Sequence, residues 1–188
     1  MSTTENLTAT KSSSKATDIT LIALFAALMA ICSWISIPLT VPFTLQTFAV
    51  FTTLCILGGK RGTLSILVFL LLGAIGVPVF AGFKSGVAVL LGTTGGYLIG
   101  FLCTALIYWL FTSLLGNKFI VKLIALLLGL AICYAFGTAW YMVVYMKTGT
   151  IGLATVLGWC VTPFVIPDLV KLAVAFIISD RVTKVIKL

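Results

Sequence analysis

A chain of 188 residues in which 61% are hydrophobic and 9% charged, with a mean hydropathy of +1.27, lies far outside the range of water-soluble domains. Twelve Lys and Arg against four Asp and Glu, with no His, give a net charge of +8, which in so apolar a chain reads as a membrane topology signal and not as a nucleic-acid surface. A spanning helix needs roughly 20 residues, so the expected architecture is an all-α integral membrane protein of six transmembrane helices with no soluble catalytic module.

Residues 1–17, MSTTENLTATKSSSKAT, hold nine Ser or Thr and no apolar run, so they read as a disordered tail and not as a signal peptide. A single membrane domain is expected over 18–188. From Asp18 to Ile37 the chain is almost continuously apolar, with Asp18 placed to cap the first helix. Within it, ALFAALMA puts Ala23, Ala26, Ala27 and Ala30 at i, i+3, i+4 and i+7, a face of methyl groups that another helix can approach closely. That helix could belong to this protein or to a partner.

The apolar runs Leu45–Leu57 and Leu64–Val77 flank GGKRG and read as two short spans. A hairpin that reaches only part of the thickness would leave Lys60 and Arg61 at bilayer depth, at a cost of a few kcal/mol per charge. Three further helices are expected over Gly86–Leu115, Phe119–Met146 and Pro163–Val182. The fourth carries Gly92, Gly96 and Gly100 at four-residue intervals, a stripe that suits close helix packing or, near Gly92 and Gly96, backbone approach to a ligand. Tyr97 beside them fits either role.

With six spans, one side of the membrane receives Lys11, Lys15, Lys60, Arg61, Lys118, Lys122, Arg181, Lys184 and Lys187. The other receives only Lys84 and Lys147. Basic loops stay in the cytoplasm, so both termini are expected there. All five prolines, Pro38, Pro42, Pro78, Pro163 and Pro167, then fall at or near external helix ends. Prolines end helices routinely, but five on one side point to irregular backbone lining an externally open cavity.

Asp168 and Lys171 interrupt the last helix at i, i+3, on one face, with Thr162 placed as its cap. They form either a self-neutralising ion pair or a binding site. Burying such a pair is a weak source of stability, and ionisable residues within spans are functional candidates. An acceptor-only group beside a three-donor group suits a ligand that presents N–H next to C=O.

The five cysteines, Cys32, Cys55, Cys103, Cys133 and Cys160, are scattered singly through apolar surroundings and read as small core residues, with no metal or disulfide spacing. There is no GxxxxGK[ST] phosphate loop, no His, and no nucleophile with a base beside it, so no enzyme and no cofactor are expected. Asp168 is the one deeply placed acid and no internal repeat is visible, which leaves transport without a motor in this chain.

VPFTLQTFAV (41–50), LLGAIGVPVFAG (71–82), GTTGGYLIGF (92–101) and IPDLVK (166–171), in this order, resemble the motifs of the BioY family, the biotin-specific substrate-binding components of energy-coupling factor transporters. The resemblance extends over nearly all the chain after the tail. One departure is Thr93, where the family commonly has Pro in Gly-Pro-Thr-Gly-Gly-Tyr. The resemblance implies a multi-pass protein of the bacterial cytoplasmic membrane that captures biotin outside and works with a transmembrane coupling component and two cytoplasmic ATPases. It implies that Asp168 accepts from the ureido ring, while Lys171 donates to the ring carbonyl or to the valerate carboxylate. Thr44, Gln46, Thr47, Tyr97 and Tyr141 would supply further contacts, Phe80 and Gly82 a lid, and the alanine face the docking surface for the coupling component. A stand-alone carrier, which would take up substrate by itself, and a membrane scaffold, which would bind no small molecule, are the alternatives.

Overall fold

The computed structural model describes residues 15–146 and 152–186. Seven helices and one small ribbon follow in order: α1 Lys15–Trp34, β1 Ser36–Ile37, β2 Phe43–Thr44, α2 Gln46–Ala74, α3 Val87–Leu91, α4 Gly95–Leu115, α5 Phe119–Tyr145, α6 Leu153–Cys160 and α7 Thr162–Ile186. A short 3-10 turn, Ala81–Phe83, lies in the loop between α2 and α3. The tail expected over 1–17 lies outside the described residues as far as position 14, as does Lys147, while residues 15–17 are helical.

The helix α2 is two arms. Gly58 breaks it with φ 76° and ψ −179°, a conformation open to glycine at no steric cost. A methyl group added to Gly62 would lie 3.2 Å from the Cα of Leu54, eight residues earlier. Eight residues along an unbroken helix are about 12 Å apart, so the chain folds back on itself here. Five stretches are long and apolar enough to cross a membrane, with Leu153–Val185 counted as one. The reversal inside α2 divides one of them, and the bundle has the six membrane segments expected from length and composition.

Several boundaries differ from the sequence reading. The first helix begins at Lys15, so Asp18 does not cap it; it lies in the first turn and pairs with Arg61 beyond the α2 reversal at 2.9 Å. That pair ties the start of α1 to the turn, and it places Lys60 and Arg61 at the end of the bundle that also holds the start of α5 and the end of α7. The expected helix over Gly86–Leu115 is interrupted. Gly92 is extended and Gly95–Leu115 starts anew, because Gly92, Thr93, Thr94 and Gly95 favour turns over helix. Thr162 is helical and donates its hydroxyl to Leu157 O at 3.2 Å instead of capping α7. Before it lies α6, a helix the sequence reading did not separate from its loop.

The packing uses small residues, as expected where lipid removes the hydrophobic drive between helices. Along the α4/α5 seam a methyl on Gly100 would lie 3.1 Å from Cys133 Cα and one on Gly129 3.0 Å from Thr104 Cα. Gly96 faces Trp140 in the same way, so it belongs to this seam and not to a ligand. The alanines of α1 divide: Ala26 and Ala30 are buried inside the bundle, whereas Ala23 and Ala27 face outward. The four therefore do not form one docking face.

Candidate functional site

At the end of the bundle away from the basic turns, a cavity of about 250 Å³ is enclosed by α2, α4, α5 and α7 together with the loops before and after α2. Its polar centre is built on α7. Pro167 lies within that helix, and one residue later Asp168 is 2% exposed. One turn on, Lys171 is 8% exposed, and its Nζ reaches Asp168 Oδ1 at 2.8 Å.

The start of α2 completes the arrangement. The ribbon pairs Ser36 with Thr44 and Ile37 with Phe43, so the chain enters α2 with Thr44 O and Thr47 turned toward α7. Lys171 Nζ donates to Thr44 O at 2.7 Å and to Thr47 Oγ1 at 3.1 Å, and it stands 4.1 Å above the centre of the Phe43 ring. Thr47 in turn donates to Asp168 Oδ1 at 2.7 Å. From α5, Tyr134 Oη donates to Asp168 Oδ2 at 2.6 Å.

Counting donors and acceptors shows what remains for a ligand. An ammonium has three donors, and Thr44 O, Thr47 Oγ1 and Asp168 take all three. A carboxylate has about four acceptor positions, of which Lys171, Thr47 and Tyr134 occupy three. One position on Asp168 stays open. Gln46, 4% exposed, also lines the cavity, and its amide nitrogen has no hydrogen-bond partner among the described residues. A buried donor left unmade is uncommon in a native protein and calls for an explanation. The cavity therefore has an open acceptor position on Asp168 and an unpartnered, buried amide on Gln46 at its wall; Phe80, Leu98, Phe101 and Phe164 supply apolar surface, and Thr40, Lys84, Thr93 and Thr94 add polar groups around it.

Of the residues singled out in the sequence, Thr44, Gln46, Thr47, Phe80, Tyr97, Asp168 and Lys171 line this cavity. Tyr97 presents its ring, since its hydroxyl is shared with Thr138 Oγ1 at 3.1 Å. Phe80 is an anchored wall: it is 1% exposed, packed edge-on to Phe69 and seated against Gly73. The lining does not include Gly82, Gly92, Gly96 or Tyr141. Gly82, at φ 69°, shapes the turn that carries Phe80 and Lys84. The carbonyl of Gly92 accepts Trp140 Nε1 at 3.0 Å. Tyr141 stacks on Tyr145 at 5.7 Å.

Sequence reasoning missed Tyr134, which sits on α5 with no charge to mark it. It also missed Lys84, Thr93 and Thr94, which reach the cavity from the loop and the α3/α4 break. Among the described residues all five cysteines are free, and Cys133 and Cys160 contribute to the cavity wall.

The BioY family model matches residues 4–188. The chain is 44% identical over 162 residues to the biotin transporter BioY of Thermotoga maritima, covering 86% of this chain and 92% of that protein. It is 42% identical over 168 residues to a probable biotin transporter BioY of Pyrococcus horikoshii, covering 89% and 96%. Among solved structures, the S-component for biotin from an ECF-type ABC transporter superposes with a TM-score of 0.79 at 30% identity, over 90% of this chain and 92% of that one. The chain belongs to the BioY family.

Proposed function

We propose that this chain is the biotin-binding membrane component of an energy-coupling factor uptake transporter. It captures biotin at the external face of the bacterial cytoplasmic membrane and delivers it through an ATP-driven module. The observation that carries this reading is the pairing of an unpartnered Gln46 amide donor with an open acceptor position on Asp168 at one cavity. A ureido ring presents N–H beside C=O and matches that pair. Lys171 then acts chiefly by fixing Asp168 and Thr47, because contact with either the ring carbonyl or a carboxylate requires it to release a protein acceptor.

The names of the relatives support biotin as the substrate, and the solved S-component supports coupling to an ATP-driven transporter. The chain carries no phosphate loop; in this reading, and as the family resemblance implies, ATP hydrolysis falls to two separate ATPases joined through a transmembrane coupling component. The chain itself is not an enzyme.

The test is uptake in proteoliposomes. The protein alone should bind biotin without accumulating it. Together with its coupling module and ATP it should concentrate biotin inside. Accumulation by the chain alone, driven by an ion gradient, would establish a stand-alone carrier instead, and absence of binding in either preparation would leave a scaffold.

A further inference from the structure

A second cavity, of about 850 Å³, opens at the basic end of the bundle between α5 and α7. There α5 packs on α4 and α7 packs on α2, while the backbones of α5 and α7 stay apart. Side chains tie the two helices at two levels: Tyr134 to Asp168, and Phe119 against Phe176 with ring centres 4.9 Å apart. These levels are separated by about 12 Å along α7 and about 22 Å along α5 at 1.5 Å per residue.

The cleft is apolar within and carries one lysine and one aspartate at its rim. Leu123, Leu127, Leu172 and Ile177 form its walls, and Lys122 and Asp180 stand at its mouth. Asp180 already accepts Lys184 Nζ at 2.6 Å, whereas Lys122 makes no ion pair among the described residues. Lys118 lies one turn before it on the chain. Ser179 is among the lining residues, but its hydroxyl is closed off from the cleft and faces the Cys55 thiol.

We propose that this cleft holds one acyl chain of an anionic phospholipid, with the phosphate on Lys122. An α-helix is about 10 Å across and does not enter between helices tied at both levels, whereas a hydrocarbon chain does. A water-soluble anion has no use for the leucine walls. The placement of one unpaired cation at the headgroup level above an apolar slot fits a lipid.

Native mass spectrometry of the full-length protein, titrated with dioleoyl phosphatidylglycerol or dioleoyl phosphatidylcholine, tests this. The wild type should hold one phosphatidylglycerol about tenfold more tightly than phosphatidylcholine. Lys122→Gln should abolish the preference, Lys122→Arg should keep it, and Ala173→Trp should fill the cleft and remove tight retention of both lipids. Equal retention of the two lipids by the wild type, or a preference that survives Lys122→Gln, would overturn the proposal. Biotin titration of each variant serves as the folding control, since these positions lie outside the upper cavity.

Discussion

Tyr134 Oη meets Asp168 Oδ2 at 2.6 Å, and this hydrogen bond ties α5 to α7 across a gap that their backbones do not close. It also fixes the carboxylate plane, so that the open acceptor position on Asp168 keeps one direction in the cavity. Tyr134→Phe deletes the donor and little else. Leaving a buried carboxylate oxygen without this partner should lower stability by about 1 to 3 kcal/mol. Biotin binding should weaken by roughly tenfold as the acceptor loses its orientation. Thermal unfolding and isothermal titration on the same preparation check both effects; an unchanged affinity would show that Tyr134 serves packing only.

The ion pair makes a second, sharper expectation. Asp168→Asn or Lys171→Met alone strands the other charge in the bundle, which should cost about 3 to 5 kcal/mol. The double variant removes both charges and should recover most of that loss, while biotin binding stays impaired. Melting temperatures of the four proteins in a double-mutant cycle measure the coupling. A double variant with normal binding would mean that the charges are structural alone.

Much of this architecture is legible in the residues themselves. Six spans, the sidedness of the basic residues and the Asp168/Lys171 pairing follow from hydropathy, loop charge and i, i+3 spacing, each a local property of the chain. What stays hidden in the sequence depends on contacts between distant segments. Tyr134 gains its meaning from Asp168, 34 residues away, and a lone tyrosine in an apolar helix resembles any amphipathic packing residue. The division of the alanine face into a buried and an exposed pair depends on which side α2 covers. The glycine stripe holds in part: Gly96 and Gly100 pack on α5 as close helix packing requires, whereas Gly92 lies in the break before α4.

Sidedness is open to direct chemistry. Single cysteines at Lys60 and Lys184 in a cysteine-free background should resist an impermeant thiol reagent in intact cells, and one at Lys84 should react. Lys84 is exposed and borders the upper cavity, so biotin should slow its labelling. Reaction at Lys60 or Lys184 from outside would reverse the assigned orientation.

The exposed alanines separate binding from coupling. Ala23 and Ala27 face away from the bundle, so Ala23→Trp with Ala27→Trp should leave the fold and biotin binding intact. Small residues admit a partner helix closely, and two indoles should exclude it. Co-purification with the coupling component and ATP-dependent uptake should both be lost. Retained uptake would place the docking surface elsewhere on the protein.

In the proposed function the donor at Gln46 and the acceptor at Asp168 read a ureido ring. Isothermal titration of biotin into purified wild-type protein and into Gln46→Leu tests it most directly. The substitution removes the unpartnered amide, which should leave the empty protein as stable or more so, because an unsatisfied buried donor is gone. Biotin affinity should nevertheless fall by about ten- to a hundredfold, the loss of one or two buried hydrogen bonds to the ligand. A folded Gln46→Leu protein that binds biotin as tightly as the wild type would contradict the account.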